Sequence, residues 1–247
     1  MHILVITLPG DDKRKLEISS QLEKQQLDFE FFDAINGRNG IPEKLNKLVD
    51  HEALKDHWRK ITTTEIACAL THAFACKHIV DNISEPCIIL EDDAILSEEF
   101  GELVKSGALE KSKDDLILLY HHNTRVINRP RQKLTDKHEL RVPLKAPWGA
   151  VAYYVTANGA KTIYERSVPI TGVADWGFDI LQMKTSCIVP RIVEHPPIDQ
   201  SQTTMLGRDS SAKMPDKKRR SVFAKAMDPN YRRYFFKKKK SEWIYRP

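Results

Sequence analysis

Pro86-Cys87-Ile88-Ile89-Leu90-Glu91-Asp92-Asp93-Ala94-Ile95-Leu96 joins an apolar run to three acids and sets the architecture of the chain. An apolar run opened by a proline reads as a strand buried on both faces of a sheet. It runs straight into three consecutive carboxylates, which repel one another unless a cation sits among them. In extended backbone Glu91 and Asp93 share a face, with Cα atoms about 6.5–7 Å apart at roughly 3.3 Å per residue. That spacing suits one hard divalent ion, Mg²⁺ or Mn²⁺, which keeps several waters and takes further ligands from substrate phosphates. In open α/β sheets ligands bind beyond the carboxyl ends of the strands, where these acids fall. The competing reading is a solvated acidic turn.

Working outward, Ile3 to Leu8 reads as a first buried strand, ended by Pro9-Gly10. Asp11 or Asp12 can cap a helix running to about Gln26, and Asp28 to Phe32 reads as a second strand. Strand, helix and strand make a βαβ unit whose loops lie at the sheet edge that carries the acids. Arg14, one turn into the helix, can reach a phosphate there or stay solvated. Pro42 to Trp58 suggests a helical excursion. Thr62-Thr63-Thr64-Glu65 fits a capping box for a helix through Val80 that feeds the acidic strand. Ser97 is expected to cap a helix carrying Glu98 and Glu99 in its first turn. Asp115 to Tyr120 is another buried strand, and Arg125 to Lys145 reads as a long basic loop of the kind that forms lids. Trp148 to Val155 reads as a strand, Asn158 onward as a short helix, Asp175 through Met183 as a helix, and Cys187 to Val189 as a strand.

The chain has 247 residues, enough for one large α/β domain or for a domain with an appendage. No apolar run approaches the ~18 residues of a membrane span, and the N-terminal run lacks the length and basic lead-in of a secretory signal. A cytoplasmic location is expected. Cys68, Cys76, Cys87 and Cys187 have no CxxC spacing and are expected to be reduced thiols. Cys68 and Cys76 lie about 12 Å apart along a helix, too far to share a zinc ion with His72 or to form a disulfide. The net charge of +5 hides an asymmetry. Residues 213–247 hold 13 of the 39 Lys and Arg but 3 of the 34 Asp and Glu, a net of +10, which leaves the rest at −5. An acidic body with a basic tail points to a polyanionic surface as partner.

Three blocks together resemble glycosyltransferase family 25, the lipooligosaccharide-type sugar transferases related to the collagen galactosyltransferases. They are the opening strand with Phe31-Phe32-Asp33-Ala34-Ile35-Asn36-Gly37, the helix Thr64-Glu65-Ile66-Ala67-Cys68-Ala69-Leu70-Thr71-His72 leading into Glu91-Asp92-Asp93, and Gly149-Ala150-Val151-Ala152-Tyr153-Tyr154-Val155 with Asn158-Gly159-Ala160-Lys161. The resemblance spans roughly residues 1–206, with 207–247 left as a basic, aromatic-rich tail. Family members usually carry Gly-Glu-Ile-Gly-Cys and Ser-His where this chain has Thr64-Glu65-Ile66-Ala67-Cys68 and Thr71-His72. These small-for-small changes leave the carboxylate and imidazole in place.

The resemblance implies a GT-A-like α/β fold, a mostly parallel sheet flanked by helices. It implies a UDP-sugar donor, galactose before others, and inversion at the anomeric carbon with help from Mn²⁺ or Mg²⁺. It further implies Glu91 and Asp93 as metal ligands, Asp92 in the same motif, and Thr7, Leu8 and Arg14 near the nucleotide. Glu65 and His72 would line or brace the donor site. GT-A enzymes often use a late histidine as a ligand, a role open to His195, which otherwise is a loop residue. Inverting transfer needs a base for the acceptor hydroxyl. Asp175 and Asp179, at i and i+4 of the expected helix, are the candidates, beside Trp176 as a sugar-stacking ring. The acceptor would be a lipooligosaccharide or related glycan. The tail, with Phe223, Met227, Tyr231, Tyr234, Phe235, Phe236, Trp243 and Tyr245 among its charges, would then hold the enzyme peripherally on the cytoplasmic face of the inner membrane. Two rivals stand beside this reading. A metal-dependent phosphoryl-transfer enzyme would want an acidic nucleophile after the first strand, where Pro9-Gly10 stand. A nucleic-acid-binding protein using its tail would carry an acidic body that repels a duplex, so no nucleic-acid partner is expected.

Overall fold

The computed structural model describes residues 1–57, 59–196 and 229–245. Strand β1 (His2–Thr7), helix α1 (Asp12–Lys24) and strand β2 (Glu30–Asp33) form the βαβ unit, with Asp11 accepting the Arg14 N–H as N-cap. The excursion is two short helices, α2 (Glu43–Asn46) and α3 (His51–Lys55). Helix α4 (Thr63–His78) opens on the expected capping box and passes through a π-helical turn, Ile79–Ile83, into β3 (Cys87–Glu91). Then come β4 (Ile95–Leu96), α5 (Glu99–Lys105), β5 (Leu116–Leu118), β6 (Thr124–Ile127), β7 (Gln132–Lys133), β8 (Glu139–Arg141), β9 (Ala152–Val155) and α6 (Ala157–Ser167). The described residues finish with β10 (Thr185–Val189), β11 (Val193–Glu194), α7 (Pro229–Lys239) and β12 (Ser241–Tyr245).

Eight strands form one sheet in the order β2-β1-β3-β9-β5-β10-β8-β7. Strand β1 pairs parallel with β2 and β3, and β5 with β10; β9 and β8 run against their neighbours. Six of the eight strands therefore point one way, a mostly parallel α/β sheet flanked by helices, as expected. The period of two along the strands explains the layers. Ile3, Val5, Ile88 and Leu90 pack with Ile18 and Leu22 of α1 and Phe100 and Leu103 of α5 on one face. Leu4, Ile6, Cys87 and Ile89 pack with Ala75 and Cys76 of α4 and Ala160 and Ile163 of α6 on the other. The acidic strand is thus buried on both faces, as its run of apolar residues predicts. All four cysteines are free thiols.

Four expectations are corrected. Strand β3 ends at Glu91 and the chain turns at once, with the Ala94 N–H bonded to the Glu91 carbonyl at 3.1 Å. Glu91 and Asp93 therefore do not share a strand face. The basic stretch after Arg125 is not a loose lid: β7 and β8 extend the main sheet, and β6 pairs antiparallel with β12. Ser97 does not cap α5 through its side chain; its Oγ is buried without a partner among the described residues. Asp175 to Asp179 is not helical. Only Ile180–Gln182 forms a 3-10 turn, and Asp179 caps it by accepting the Leu181 N–H at 3.1 Å. The i, i+4 spacing of the two acids suggests a helix, but Trp176 adopts a positive φ of 65°, and Gly177 beside it is a poor helix former.

The boundary at residue 206 and the tail residues 213–228, Phe223 and Met227 among them, lie outside the described residues, as does the Tyr231 side chain. What is described of the C-terminus is folded onto the body. Arg125 donates from Nε to Ser241 Oγ at 2.7 Å and from a terminal nitrogen to the Ser241 carbonyl at 2.8 Å. The Tyr245 hydroxyl accepts the Arg191 N–H at 3.1 Å.

His121, just past β5, is wholly buried. Its Nε2–H donates to the Ile188 carbonyl at 2.8 Å, and Nδ1 accepts from the Thr124 hydroxyl at 3.1 Å. Burial pushes its pKa down to about 4. Between pH 6.5 and about 4 the unfolded chain binds a proton that the folded chain refuses, so stability is present above that window and lost as pH falls through it. From pH 7 to 4.5 the wild type should lose on the order of 2–3 kcal/mol more than His121→Gln. Urea midpoints of the two proteins at both pH values check this, and equal losses would refute it.

Candidate active site

The carboxyl ends of β1 and β3, the start of β9 and the segment after β11 meet at one edge of the sheet. Parallel pairing sets Ile6 beside Glu91, so the turn after β3 faces the start of α1. Arg14 reaches across from that helix. Its guanidinium donates to Asp92 Oδ1 at 3.0 Å and Asp93 Oδ2 at 3.2 Å, and its Nε lies 3.8 Å from Asp11. From the opposite side His195 Nε2 stands 3.6 Å from Asp93 Oδ2, while its Nδ1–H donates to the Pro196 carbonyl at 2.6 Å. On Asp93, burial works to raise the carboxyl, yet His195 and Arg14 outweigh it and hold it below the ordinary carboxylate range. Burial lowers the His195 imidazole, and Asp93 more than reverses this, leaving it raised. Asp92 is pushed up by burial, only partly relieved by Arg14.

The third acid points elsewhere. Glu91 Oε1 lies 3.0 Å from His72 Nε2 and 3.9 Å from the Cys68 thiol, both one helical turn apart on α4. His72 Nδ1 meets the Tyr153 hydroxyl at 3.1 Å, a contact set by the β3–β9 register that places Tyr153 beside Ile89. Glu65 does not reach the acids. Its carboxylate accepts from Arg59 at 2.6 and 2.9 Å and from the Thr62 N–H at 3.0 Å, bracing the start of the helix that carries Cys68 and His72. Thr7 ends β1 with a buried hydroxyl, and Leu8 follows it at the same edge.

Asp175 Oδ1 accepts the N–H groups of Gly149 and Ala150, each at 3.1 Å, tying an exposed carboxylate to the start of β9. Gly149 has φ 97°, and a Cβ there would overlap the Tyr120 ring. Burial raises the Tyr120 hydroxyl; its ring borders Gly149 and lies 5.9 Å from His195, which links Asp175 to the neighbourhood of the acids. Asp179 is occupied with its own turn. The Trp176 ring packs edge-on against Tyr153, centroids 5.4 Å apart, instead of standing free to stack.

Arg191 and Tyr120 were not singled out from the sequence. The Arg191 guanidinium lies 5.3 Å from the Tyr120 ring and 4.2 Å from Tyr245, and Tyr120 in turn sits 5.9 Å from His195. No local pattern marks these residues, since strands from three parts of the chain bring them together. Tyr153 was read only as a strand residue; its register against β3 gives it a role.

A cation would fit this edge. Asp93 Oδ1 is buried with no hydrogen-bond partner among the described residues, although its other oxygen is doubly attended. Carboxylate oxygens with one imidazole suit Mn²⁺ or Mg²⁺.

Comparison with known proteins agrees with the residue-level reading. The model of glycosyltransferase family 25 (LPS biosynthesis protein) matches residues 1–176. The chain belongs to glycosyltransferase family 25. Over 222 residues it is 28% identical to a Haemophilus influenzae protein named as a glycosyltransferase, covering 84% of this chain and 77% of that one. It is 23% identical to the lacto-N-neotetraose biosynthesis glycosyltransferase LgtE of Neisseria meningitidis serogroup B, covering 70% and 62%. It is 24% identical to procollagen galactosyltransferase 1-B of Xenopus laevis, covering 66% of this chain but 28% of that protein. As a family 25 member the chain is a glycosyltransferase. Among the described residues no helix is long and apolar enough to cross a membrane.

Proposed function

We propose that this glycosyltransferase moves a hexose, galactose in the first instance, from a UDP-sugar to a hydroxyl of a lipooligosaccharide-type glycan, with inversion and with a bound divalent ion. The observation that carries the reading is the turn Glu91-Asp92-Asp93 at the carboxyl edge of the sheet, where one Asp93 oxygen is buried with no hydrogen-bond partner among the described residues. Asp93, with His195 beside it, would hold Mn²⁺ or Mg²⁺, joined by Glu91 only where its side chain swings away from His72; the ion supplies charge stabilisation to a departing diphosphate. Arg14 orients Asp92 and Asp93 and is itself within reach of a phosphate bound at the start of α1. Thr7 and Leu8 flank the nucleotide there.

Asp175 is the base. Two backbone N–H bonds fix Oδ1 in place, and the exposed carboxylate takes the acceptor hydroxyl proton as oxygen attacks the anomeric carbon in line. Asp179, capping its own turn, is the second choice. His72 and Glu65 support the donor side from α4, His72 by direct contact with Glu91 and Glu65 through the helix start. The names of LgtE and of the procollagen galactosyltransferase favour galactose and a glycan acceptor, and both are carried here as part of the proposal.

The acceptor's lipid anchor calls for a means of finding the membrane. The last turns of the chain offer one: Lys237, Lys238, Lys239 and Lys240 stand beside Phe236, 61% exposed, with Phe235 and Trp243 also exposed. Each Lys near an anionic surface contributes on the order of 1 kcal/mol, and rings suit the headgroup layer. Peripheral attachment to the cytoplasmic face of the inner membrane is the proposed location.

Hydrolysis of a panel of UDP-sugars, with and without Mn²⁺, tests the chemistry. Asp93→Asn should lower turnover at least about a hundredfold, the scale of losing an electrostatic stabiliser. Asp175→Asn should keep donor affinity within about threefold while transfer to a glycan falls to background, since the base touches the acceptor and not the donor. Full activity in EDTA removes the metal from the proposal, and lost donor affinity in Asp175→Asn removes the base.

Membrane attachment is tested by substitution in place of truncation, because deleting β12 would uncover the β6 edge. Lys237, Lys238, Lys239 and Lys240 changed together to Gln should weaken sedimentation with anionic vesicles by at least about tenfold, and 0.5 M salt should do the same to the wild type. Binding that ignores both changes would show that the attachment lies elsewhere.

A further inference from the structure

The donor trio on α4 and β3 offers a second kind of metal chemistry. Cys68 Sγ, His72 Nε2 and a Glu91 carboxylate oxygen all lie within 4.8 Å of one another. Sulfur, imidazole nitrogen and carboxylate oxygen bind zinc at about 2.3, 2.0–2.1 and 2.0–2.2 Å, which sets the donors roughly 3.3–3.7 Å apart around a tetrahedral ion. The pairs measured here, 3.9 Å for Sγ to Oε1 and 3.0 Å for Nε2 to Oε1, straddle that range. Small side-chain rotations would therefore close the site. The i, i+4 spacing on a capped helix fixes the thiol and the imidazole on one face, and the doubly buried strand fixes Glu91 opposite. The earlier objection to zinc on this helix concerned Cys76, which is no part of the trio.

We infer that Cys68, His72 and Glu91 form a zinc site, with its fourth position open toward the acid cluster. The contacts behind the trio fit that use. A ligating Nε2 must carry its lone pair, so the ring proton sits on Nδ1 and is donated to the Tyr153 oxygen at 3.1 Å. The Tyr153 O–H then turns to Cys76 Sγ, 4.0 Å away. Cys68 binds as thiolate and releases one proton to solvent. Glu91 cannot serve zinc and Mn²⁺ at once, so zinc opposes a hard ion in the adjoining turn. A soft thiolate with imidazole selects zinc, whereas the carboxylate-rich side around Asp93 selects Mg²⁺ or Mn²⁺.

The test uses the full chain stripped with EDTA, then titrated with Zn²⁺ by calorimetry and with Co²⁺ by absorption. Wild type should bind one equivalent of zinc, and cobalt should give a thiolate-to-metal charge-transfer band in the near ultraviolet. Cys68→Ser should abolish the band and weaken zinc binding at least tenfold, as should His72→Gln. Asp93→Asn should leave both within twofold. No stoichiometric zinc, no cobalt band in the wild type, or a band that survives Cys68→Ser would each overturn the assignment. Loss of zinc in Asp93→Asn would do the same by moving the ion to the acid cluster. The wild-type cobalt spectrum needs no variant and decides the matter even where His72→Gln fails to fold.

Discussion

Three carboxylates at the end of a strand buried on both faces are the constraint that the rest of this edge answers to. Such charges stay ionised only if cations or hydrogen-bond donors surround them. The fold supplies these from every side: Arg14 from the first helix, His195 from the segment after β11, and His72 from α4. The chain also turns immediately after Glu91, which sends the first acid to one side of the strand end and the other two to the other. One acidic motif thereby faces two chemically different surroundings, hard oxygens with a guanidinium and a thiol with an imidazole.

What the sequence made legible follows from how local each signal is. The doubly buried strands show as apolar runs, and the start of α4 shows because Thr62 and Glu65 satisfy each other within four residues. Glu91, Asp93, Arg14, His72 and His195 do come to one edge of the sheet. The misreadings share a cause. Asp175 and Asp179 have helical spacing, but the Trp176 backbone is left-handed, and Asp175 is claimed by N–H groups 25 and 26 residues away. Arg125 to Lys145 looks like loop because its strands are two to four residues long and pair with partners far along the chain. Glu65 looks like a site residue by its motif, yet Arg59 and the helix start occupy it.

Helix α4 shows how one element joins stability to site geometry. Its N-terminus is closed by the capping box, an interaction of typically about 1 kcal/mol, and by the buried Arg59–Glu65 pair. Its middle carries Ala69, Leu70 and Ala73 into the satellite core formed with Val49, Ile61 and Ile170. The remaining face presents Cys68 and His72 to Glu91. A helix anchored at its first turn and packed along its length cannot rotate, so the imidazole that meets Glu91 is held from behind by Tyr153 and from below by the core.

The C-terminal strand bears on the same edge. Arg191 lies between the rings of Tyr120 and Tyr245, donates to the His121 carbonyl at 3.2 Å, and forms a short ion pair with Glu194. Tyr120 stacks obliquely near His195, and His195 faces Asp93. Tyr245 is thus two contacts from Tyr120 and four from Asp93, along a path of rings and one guanidinium. β12 is also held at its other end, where Arg125 grips Ser241. A disturbance of β12 would therefore reach Asp93 only through Arg191, Tyr120 and His195. The described basic segment is joined by these contacts to the surroundings of the acids, which is why it cannot be treated as removable.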